Sequence, residues 1–531
     1  MLAYLRHNVS RAVGCEQLRS VVLLFFASLA YRVLHYLFLS DRIVASSDLM
    51  QNQLLAERFA AGDFYHALDP YWPPLYAVLL GSVTFVVDDL ILPAVIVSMV
   101  AGSLIASVTY LLARPLYGQR VGLIAGTLAL FYPFFLNVTF TLGNENLYSS
   151  FIIGSLICAW RAFTQNSLSW YFATGLLLAL AYLTRPEAIG YLILFSGFAA
   201  VDHVRVKERS GRRLLMRLGI LFVGFLLLSA PYLVYLKQET GSWTVSNKVA
   251  VNLAGGVMRE TEGRQSAELT SPKVSSRKIL QNLTGAERLA QTIIQDIVPI
   301  FLFIFISLGL FGDTWSTERL FRELFLIAFC VLTVLGYVVT FVLERYFYVL
   351  LPVFLGWMGM GIVVAERWFF ASVERWDFSS LQRIKRLFVR LCVGLVFLYM
   401  FSVNFYVRSS ESVWQGWALE ERDAGVWLRE NGKPSASIFS ASFRPVFYAR
   451  GKQVWTEAAD SDEIMEHILR AHVDYVVVSE RLADKYPLLN DLSFRLITSN
   501  QFELIYERND YPGYMISIYR PRCSDAEGNC P

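Results

Sequence analysis

Long apolar runs recur along most of this chain, and each is close to the length needed to cross a membrane. A helix needs about 20 predominantly apolar residues to span the hydrocarbon core of a bilayer. Eleven runs meet or approach that length, at residues 21–39, 91–113, 121–141, 147–163, 170–183, 188–201, 214–236, 293–311, 324–343, 347–365 and 387–405. The sequence therefore predicts a polytopic α-helical membrane protein with about 11 transmembrane helices.

The composition agrees with this prediction and removes other classes of protein. Of the 531 residues, 55% are hydrophobic and only 17% are charged, whereas a soluble chain carries about 25% charged residues. The same numbers exclude a disordered, collagen-like, coiled-coil or cysteine-stapled chain. The net charge of +3 comes from 47 basic and 44 acidic residues. Charges so nearly balanced are not typical of nucleic-acid-binding proteins, so no nucleic-acid partner is expected.

The distribution of basic residues predicts how the chain is oriented. Arg6, Arg11 and Arg19 precede the first run and place the N-terminus in the cytoplasm by the positive-inside rule. Residues 75–87 form a further apolar run, short for a crossing. If this run does not cross, the basic clusters in 205–217 and 367–390 lie inside, whereas a crossing would put both outside. We therefore expect a re-entrant or interfacial helix there, in a protein of the plasma (inner) membrane with its C-terminus outside.

This topology leaves three large segments on the outer face, at residues 40–74, at 237–291 and from 407 onward. The chain from 407 turns polar, and its pattern changes to short helices and strands. The pattern predicts helices at 418–430 and 461–471, a buried strand at 475–478, and a hairpin from 502–506 and 514–519. The sequence thus predicts a transmembrane domain, 1–406, and a small periplasmic α/β domain, 407–531.

The cysteine and glycine patterns predict neither a structural metal centre nor a nucleotide site. No His and Cys pattern has zinc spacing, and no phosphate-binding glycine motif is found. Cys523 and Cys530 lie on the expected oxidising face, where a disulfide between them is allowed. The other cysteines lie in or near apolar runs and are expected to be packing residues: Cys15, Cys158, Cys330 and Cys392.

Asp48 is the first acidic candidate for a functional role. Leu54, Leu55 and Phe59 follow it at helical spacing, which predicts an amphipathic helix on the membrane surface. Asp48 could cap this helix, since Ser and Asp satisfy free amides at a helix N-terminus. It could also be a general base held at the lipid boundary. The two roles are compatible.

Three further turns on the predicted outer face hold charged residues. Glu145 is either a solvated acid that favours the dipole of the following helix or a paired functional acid. Arg185 either snorkels to lipid headgroups or belongs to a site. Arg345 either clamps a phosphate or pairs with Glu344. Because one topology puts all these turns at the same face, the set suits a lipid-linked anionic donor.

Short motifs along roughly residues 1–366 form a pattern shared with a known superfamily. The motifs are Ser47-Asp48, Tyr71-Trp72-Pro73-Pro74-Leu75-Tyr76, Ala113-Arg114-Pro115-Leu116-Tyr117-Gly118, Gly143-Asn144-Glu145, Leu183-Thr184-Arg185-Pro186-Glu187, Pro231 with Gly241-Ser242-Trp243 and Lys248, and Glu344-Arg345-Tyr346 with Leu351-Pro352. The chain resembles the GT-C superfamily of lipid-dependent glycosyltransferases. Within it, the protein O-mannosyltransferases and the bacterial aminoarabinose transferases of lipid A are the most similar.

The resemblance implies the GT-C fold and an inverting transfer of a monosaccharide from a polyprenyl-phosphate donor to an acceptor hydroxyl. Asp48 would be the general base. Glu145 would orient the acceptor or the donor sugar, or hold a divalent cation, Mg²⁺ or Mn²⁺, if one is used. No other cofactor is expected.

The resemblance also implies which residues bind the donor phosphate and the substrate. Arg345 would neutralise the leaving phosphate, with Arg185, Lys248 and Tyr346 as further ligands. The remaining candidates for substrate binding are Glu187, Trp72 and His66.

Two features bear on the acceptor, which the resemblance leaves as a lipid, polysaccharide or protein. The mannosyltransferases have an Asp-Glu pair in the first loop, whereas Asp48 is followed by Leu49. The single acid is closer to the bacterial branch, whose acceptors are often glycolipids or polysaccharides. The segment 237–291 is long for a connector, and is either a cover over the acceptor site or a flexible excursion.

The sequence also allows three other functions. A transporter or lipid flippase would need ionisable residues within its spans, and the first span offers Arg32 and His35. A non-catalytic scaffold would use the C-terminal domain to bind a partner. A third alternative is a transferase of the same fold that ligates whole polymers.

Overall fold

The protein, seen in a computed structural model, divides into two compact units. The first unit comprises Met1–Leu37 and Asn52–Val403, and the second comprises Phe38–Gln51 and Asn404–Pro531. The structure describes residues 2–207, 210–247, 300–340, 344–374, 394–395, 398–400, 402–403, 418–456, 460–482, 486, 488–499, 501–509 and 514–522.

Helices make up most of the described chain before residue 375. They are α1 (Leu2–Leu39), α2 (Ser47–Ala60), α3 (Pro74–Thr84), α4 (Leu92–Tyr117), α5 (Gln119–Phe131), α6 (Pro133–Phe140), α7 (Glu145–Gln165), α8 (Leu168–Thr184), α9 (Ile189–Arg205), α10 (Gly211–Thr240), α11 (Ile300–Phe311), α12 (Thr317–Thr340) and α13 (Leu351–Glu374). Short 3₁₀ turns precede α9 and α13, at Pro186–Ala188 and Glu344–Leu350.

The length and apolar character of these helices make the chain a multi-pass membrane protein. Six segments of the described residues are long and apolar enough to cross a bilayer, and they lie in α1, α4, α7, α9, α10 and α13. A seventh span is available if α5 and α6 act together, across a bend of 45°. The bend falls where α6 begins at Pro133, because proline has no N–H to continue the hydrogen bonding of α5.

The predicted apolar runs correspond well to these helices. Six of the first seven runs each lie largely on one helix, from α1 to α10, whereas 121–141 is divided between α5 and α6. The described parts of the next three runs lie on α11, on α12, and on α13 with the 3₁₀ turn before it, and the eleventh, 387–405, falls largely outside the described residues. The short run 75–87 forms α3, whose 11 residues extend for about 16 Å. That length is too small to cross the hydrocarbon core of about 30 Å, which agrees with the prediction that this run does not cross.

The described C-terminal part of the second unit is a five-stranded sheet with helices on both sides. The strands are β1 (Ser437–Phe439), β2 (Lys452–Val454), β3 (Tyr475–Ser479), β4 (Phe502–Arg508) and β5 (Ile516–Pro521), in the order β2-β1-β3-β5-β4. The first three pair in parallel, and β5 pairs antiparallel with both β3 and β4. The helices are α14 (Leu419–Asn431), α15 (Phe443–Tyr448), α16 (Ser461–Arg470) and α17 (Leu488–Thr498).

The two faces of the central strand explain this arrangement. Val476 and Val478 pack with residues of α16 and α17, whereas Tyr475 and Val477 pack with residues of α14 and α15. Alternate side chains of a strand point to opposite faces, so a strand that is apolar throughout needs cover on both sides. The predicted α/β class is therefore confirmed, together with both helices, the buried strand and the antiparallel pairing of β4 with β5. The Cys523–Cys530 pair lies outside the described residues.

Candidate functional site

Three turns that are far apart in the sequence meet at one end of the helices of the first unit. They precede α7, follow α8, and precede α13. The Asn144 side chain, at the start of α7, donates a hydrogen bond to the carbonyl of Thr184 at the end of α8, over 3.1 Å. Three of the predicted motifs are therefore neighbours in space, which agrees with their predicted position at one membrane face.

Glu145 lies at the centre of this cluster. It is the first residue of α7 and is only 3% exposed, so it is not a solvated turn residue. Its position in the first turn is favourable for a carboxylate, because the free amides of a helix N-terminus carry partial positive charge. The chain before it has Gly143, where an added Cβ would overlap the Oε2 atom of Glu145. Glycine at position 143 thus gives the carboxylate its space.

Arg185 is held beside Glu145 by the backbone at the end of α8. Its extended conformation (φ −151°, ψ 130°) is the one that a following proline favours, and Pro186 supplies that proline. The guanidinium donates to Glu145 Oε1 over 3.2 Å and to Glu187 Oε1 over 3.5 Å. Arg185 is 6% exposed and is therefore a buried, paired residue rather than one that snorkels to headgroups.

Arg345 brings a second guanidinium to the same carboxylate oxygen. Its Nε atom lies 3.5 Å from Glu145 Oε1, and its side chain is 31% exposed. Both guanidinium groups also lie near the Tyr346 ring, with Cζ at 4.5 Å from the ring centroid for Arg185 and 5.9 Å for Arg345. Such contacts are favourable because the ring face is negative. Arg345 is the more accessible of the two arginines.

The charges within this cluster balance. Glu145 and Glu187 face Arg185 and Arg345, so the arrangement has two formal charges of each sign. The Oε1 atom of Glu145 serves both arginines, while its Oε2 atom is buried without a hydrogen-bond partner in the described part of the chain. A carboxylate oxygen that has lost water without gaining a donor is costly, which is typical of a position that meets a ligand.

A buried polar network supports the cluster from within the helices. Arg32, fully buried in α1, donates from Nε to Thr139 Oγ1 over 3.2 Å, and the Asn146 amide donates to the same oxygen over 3.2 Å. The Tyr348 hydroxyl donates to Asn146 Oδ1. Gly102 makes room, since a Cβ there would lie 2.7 Å from Arg32 Nε and from Thr139 Oγ1. This network ties α1, α6, α7 and the turn before α13 together.

Sequence reasoning missed most of this network. Arg32 was visible as a charge inside an apolar run, which is an uncommon and informative signal. Thr139, Asn146 and Tyr348 gave no signal of their own, because neutral polar residues within apolar helices are common as packing or hydrogen-bonding groups. Only their meeting in space identifies them.

Asp48 belongs to the second unit, with the other residues of Phe38–Gln51. It is half-buried in the first turn of α2. The Ser46 hydroxyl accepts a hydrogen bond from the Leu49 amide over 3.2 Å, so Ser46 supplies a cap at this helix start. The catalytic role of Asp48 stays a prediction.

Trp72, His66 and Lys248 lie outside the charged cluster or outside the described residues. Trp72 is buried with Leu55, Tyr71 and Ala77. His66 is exposed and contacts Asp63, with Nδ1 2.8 Å from Oδ1, and this hydrogen bond lowers the pKa of Asp63. Lys248 and the rest of 248–299 are not among the described residues. The substrate-binding roles of Trp72, His66 and Glu187 and the phosphate-binding role of Lys248 stay predictions.

The carboxylates do not form a ligand set for a divalent cation. Both Glu145 and Glu187 are engaged by Arg185, whereas a hard cation needs several oxygen ligands free to coordinate it. Among the residues that the structure describes, no three His, Cys, Asp or Glu side chains are grouped so that they could hold a metal ion.

Comparison with known proteins gives the fold its name. Residues 72–235 match the family model described as dolichyl-phosphate-mannose-protein mannosyltransferase. The matched range includes Trp72, Glu145, Arg185 and Glu187. None of the curated proteins matches the chain in sequence.

Solved structures of known glycosyltransferases share the fold. The oligosaccharyltransferase of Archaeoglobus fulgidus, in its apo form, is 14% identical with a TM-score of 0.56, over 90% of this chain and 71% of its own. Oligosaccharyltransferase AglB from the same organism, in complex with an inhibitory peptide and a dolichol-phosphate, has a TM-score of 0.54 at 14% identity, over 94% and 74%. ArnT from Cupriavidus metallidurans, bound to undecaprenyl phosphate, has a TM-score of 0.53 at 14% identity, over 96% and 98%. The chain has the GT-C fold, as its motifs predicted.

Proposed function

We propose that this protein is an inverting glycosyltransferase that moves a monosaccharide from a polyprenyl-phosphate donor to an acceptor hydroxyl at the outer membrane face. The observation that carries the proposal is the buried Glu145 carboxylate, whose one oxygen is shared by arginines from two separate turns and whose other oxygen has no described hydrogen-bond partner. The family-model match over 72–235 and the shared fold agree with it.

The leaving phosphate would be neutralised by the exposed side of this cluster. Arginine matches phosphate geometry because its planar guanidinium can donate two parallel hydrogen bonds. Arg345 is the first candidate because it is the more accessible guanidinium, with Arg185, Lys248 and Tyr346 as further ligands. Glu145 would then be released from Arg345 by the incoming anion and would orient a sugar hydroxyl through its free oxygen.

The chemical step would begin with Asp48 as general base. The acceptor hydroxyl gives its proton to the Asp48 carboxylate while its oxygen forms a bond to the anomeric carbon. The bond from that carbon to the phosphate oxygen breaks, and its electron pair leaves with the polyprenyl phosphate. Attack opposite to the leaving group inverts the anomeric configuration. General base catalysis of this kind is worth roughly 10²- to 10⁴-fold in rate.

The acceptor is proposed to be a glycolipid or polysaccharide rather than a protein. The support is the single acid of the first loop, Asp48 followed by Leu49, where the resemblance to the mannosyltransferases calls for an Asp-Glu pair. The protein would lie in the inner membrane, with its N-terminus in the cytoplasm and its C-terminal domain in the periplasm, as the distribution of basic residues predicts.

Release of polyprenyl phosphate from a panel of polyprenyl-phosphate sugars tests the proposal. The purified protein in lipid is given a crude envelope extract as acceptor, and wild type is compared with Asp48→Asn and Asp462→Asn. We expect turnover of one donor, its loss by about 10²-fold or more in Asp48→Asn, and little change in Asp462→Asn, which alters an exposed acid of the C-terminal domain. Equal background from wild type and Asp48→Asn across the panel would refute the transferase and favour a transporter or scaffold.

The phosphate role of Arg345 is tested separately, by binding of polyprenyl phosphate to Arg345→Ala and Arg345→Lys. We expect the alanine variant to bind more weakly, with partial recovery in the lysine variant, which keeps the charge but not the two-pronged geometry. An unchanged affinity in Arg345→Ala would exclude Arg345 as the phosphate ligand.

A further inference from the structure

The segment that leads into Asp48 is held by side chains of the C-terminal domain. Residues Phe38–Gln51 group with Asn404–Pro531 in one compact unit, although more than 350 residues separate them in the sequence. Within this segment Ile43 and Ala45 are 4% and 1% exposed. The chain between the 3₁₀ turn Ser40–Arg42 and α2 has no helix or strand of its own, so other groups must satisfy its backbone.

Two side chains on one face of helix α15 form hydrogen bonds with the backbone amide and carbonyl of Ala45. Its amide donates to the Tyr448 hydroxyl over 2.8 Å, and its carbonyl accepts from Arg444 Nε over 3.2 Å. Arg444 and Tyr448 are four residues apart, so they lie on the same side of the helix. Burial raises the pKa of Tyr448, which keeps its hydroxyl neutral. Ala45 is only three residues before Asp48.

Arg422 of helix α14 holds the residues before Ala45. Its Nη1 atom donates to the carbonyl of Asp41 and lies 3.4 Å from the carbonyl of Ile43. Together with the Arg444 contact, the carbonyls of three alternate residues, Asp41, Ile43 and Ala45, are met by arginines of the C-terminal domain. Each of these interactions fixes backbone rather than side chains, so they do not depend on the side-chain identities of the segment.

Acidic side chains orient both arginines. Glu421, 1% exposed, pairs with Arg444 and also accepts from the Ser442 hydroxyl over 2.8 Å. Asp423 accepts from Arg422 Nε over 2.8 Å and pairs with Arg508 of β4 over 2.6 Å. A guanidinium held by such a partner loses less freedom when it donates to a third group. The orientations of both guanidiniums are therefore fixed by acidic side chains of the C-terminal domain itself.

We propose that the C-terminal domain is a positioning device for the first-loop acid, in which Arg422, Arg444 and Tyr448 fix the backbone that bears Asp48. The inference rests on the proposed function, because it assigns these three residues an effect on the reaction through Asp48. A catalytic base must be held within a fraction of an ångström of its productive position. A misplacement of about 1 Å can cost roughly 10²-fold in rate.

Hydrogen exchange of the full-length protein in lipid tests, without reference to activity, whether these contacts hold the backbone of residues 40–50. Arg444→Gln and Tyr448→Phe are compared with wild type and with Arg481→Gln. Arg481 is a matched control, since it pairs with the equally buried Glu420 and its guanidinium lies over Tyr514. We expect exchange in peptides covering 40–50 to rise about 5- to 10-fold in the first two variants, the effect of losing one hydrogen bond, and to stay unchanged in the control. Unchanged exchange in all variants would show that Arg444 and Tyr448 do not hold the backbone of this segment.

Turnover tests the positioning role. We expect kcat for donor consumption to fall about 10- to 100-fold in Arg444→Gln and Tyr448→Phe, with the donor KM unchanged and Arg481→Gln like wild type. In the Asp48→Asn background the same substitutions should lower the residual rate no further, because groups that act as a unit are not additive. A further fall there, or an unchanged kcat despite faster exchange, would overturn the positioning role. If wild type itself shows no turnover, the proposed function fails and the positioning role fails with it. The exchange experiment still shows whether the C-terminal domain holds the backbone of residues 40–50.

Discussion

The residues of the charged cluster depend on one another for their stability. Glu145 and Arg185 are 4% and 7% exposed in their side chains, and neither has bulk water to replace a lost partner. Breaking a buried ion pair by removing one member costs about 3–5 kcal/mol, because the other charge is left uncompensated. Glu187 pairs with Arg185 at the longer distance of 3.5 Å, and its side chain is 23% exposed. The two glutamates therefore differ in how much they contribute.

Substituting Glu145→Gln is expected to convert the cluster into a stronger anion site. Two guanidiniums would lose their shared counter-charge, so the protein should unfold at a lower temperature without ligand and gain more stability than wild type from added polyprenyl phosphate. Thermal unfolding in lipid, with and without that ligand, measures both. Glu187→Gln is the matched control and should show smaller changes in each. Equal ligand stabilisation in Glu145→Gln and wild type would contradict the prediction.

Substituting Gly143→Ala is expected to displace the Glu145 carboxylate without unfolding the protein. The added Cβ overlaps Oε2 of a side chain that can rotate away, so the cost to stability is small while the oxygen leaves its place. Donor turnover should fall, because Oε2 no longer meets the substrate, while the midpoint of unfolding stays normal. Gly197→Ala serves as the control, since a Cβ there meets nothing within 4 Å. Wild-type turnover in Gly143→Ala would show that the position of Oε2 does not matter.

At the scale of elements, glycines set how closely the helices pack. A Cβ at Gly175 of α8 would overlap the carbonyl of Leu221 in α10, and one at Gly224 of α10 would overlap the carbonyl of Phe172 in α8. The same holds for Gly309 of α11 against Trp357 and for Gly361 of α13 against Phe305. Small residues allow such close approach of helix backbones in membranes. The α8–α10 contact has a direct bearing on the site, because Arg185 directly follows the last residue of α8.

Substituting Gly175→Ala is expected to destabilise the protein by about 1–3 kcal/mol, the usual cost of overpacking. The clash is with backbone, which cannot rotate away, so the helices must separate. Denaturant unfolding in mixed micelles measures the change. Gly219→Ala in α10 is the control, since its Cβ meets nothing within 4 Å and alanine favours helix over glycine by about 1 kcal/mol. A Gly175→Ala variant as stable as wild type would contradict the close approach.

The first unit has a buried polar cluster at each end of its helices. Near the start of α4, Ser98 joins the network of Thr139 and Asn146. Nineteen residues along α4, which is about 28 Å, the Tyr117 hydroxyl donates to the fully buried Glu323 over 2.8 Å, as does Trp357 Nε1. That separation is close to the thickness of the hydrocarbon core. The two clusters therefore fit the two faces of a bilayer.

Labelling of single cysteines tests the proposed orientation of the molecule. Ser242→Cys is at an exposed position just beyond the C-terminal end of α10, and Arg212→Cys is at an exposed position near its start. Both are made in a background without native cysteines. A membrane-impermeant thiol reagent applied to spheroplasts should label the first and should label the second only after permeabilisation. The reverse pattern would place the charged cluster on the cytoplasmic face and would contradict transfer at the outer face.

The sequence by itself determined the class of the molecule and the type of its elements. Apolar runs of spanning length admit few structures, because every backbone group in a bilayer must be satisfied within the segment. The continuous apolar run at residues 475–478 similarly predicted a buried strand. Glu145, Arg185 and Arg345 could be named as candidates because a charged residue next to a membrane span is costly unless it is solvated or paired.

Only the tertiary structure decided which partners the charged residues of the cluster meet. From the sequence, Arg345 could pair with Glu344 or bind a phosphate, and Arg185 could snorkel. In the fold, both guanidiniums contact the same Glu145 oxygen. The Ala45 backbone likewise forms hydrogen bonds with Arg444 and Tyr448, which lie some 400 residues later in the sequence. These outcomes arise from contacts between distant segments, and a local pattern of residues contains no information on which distant partner a polar group will meet.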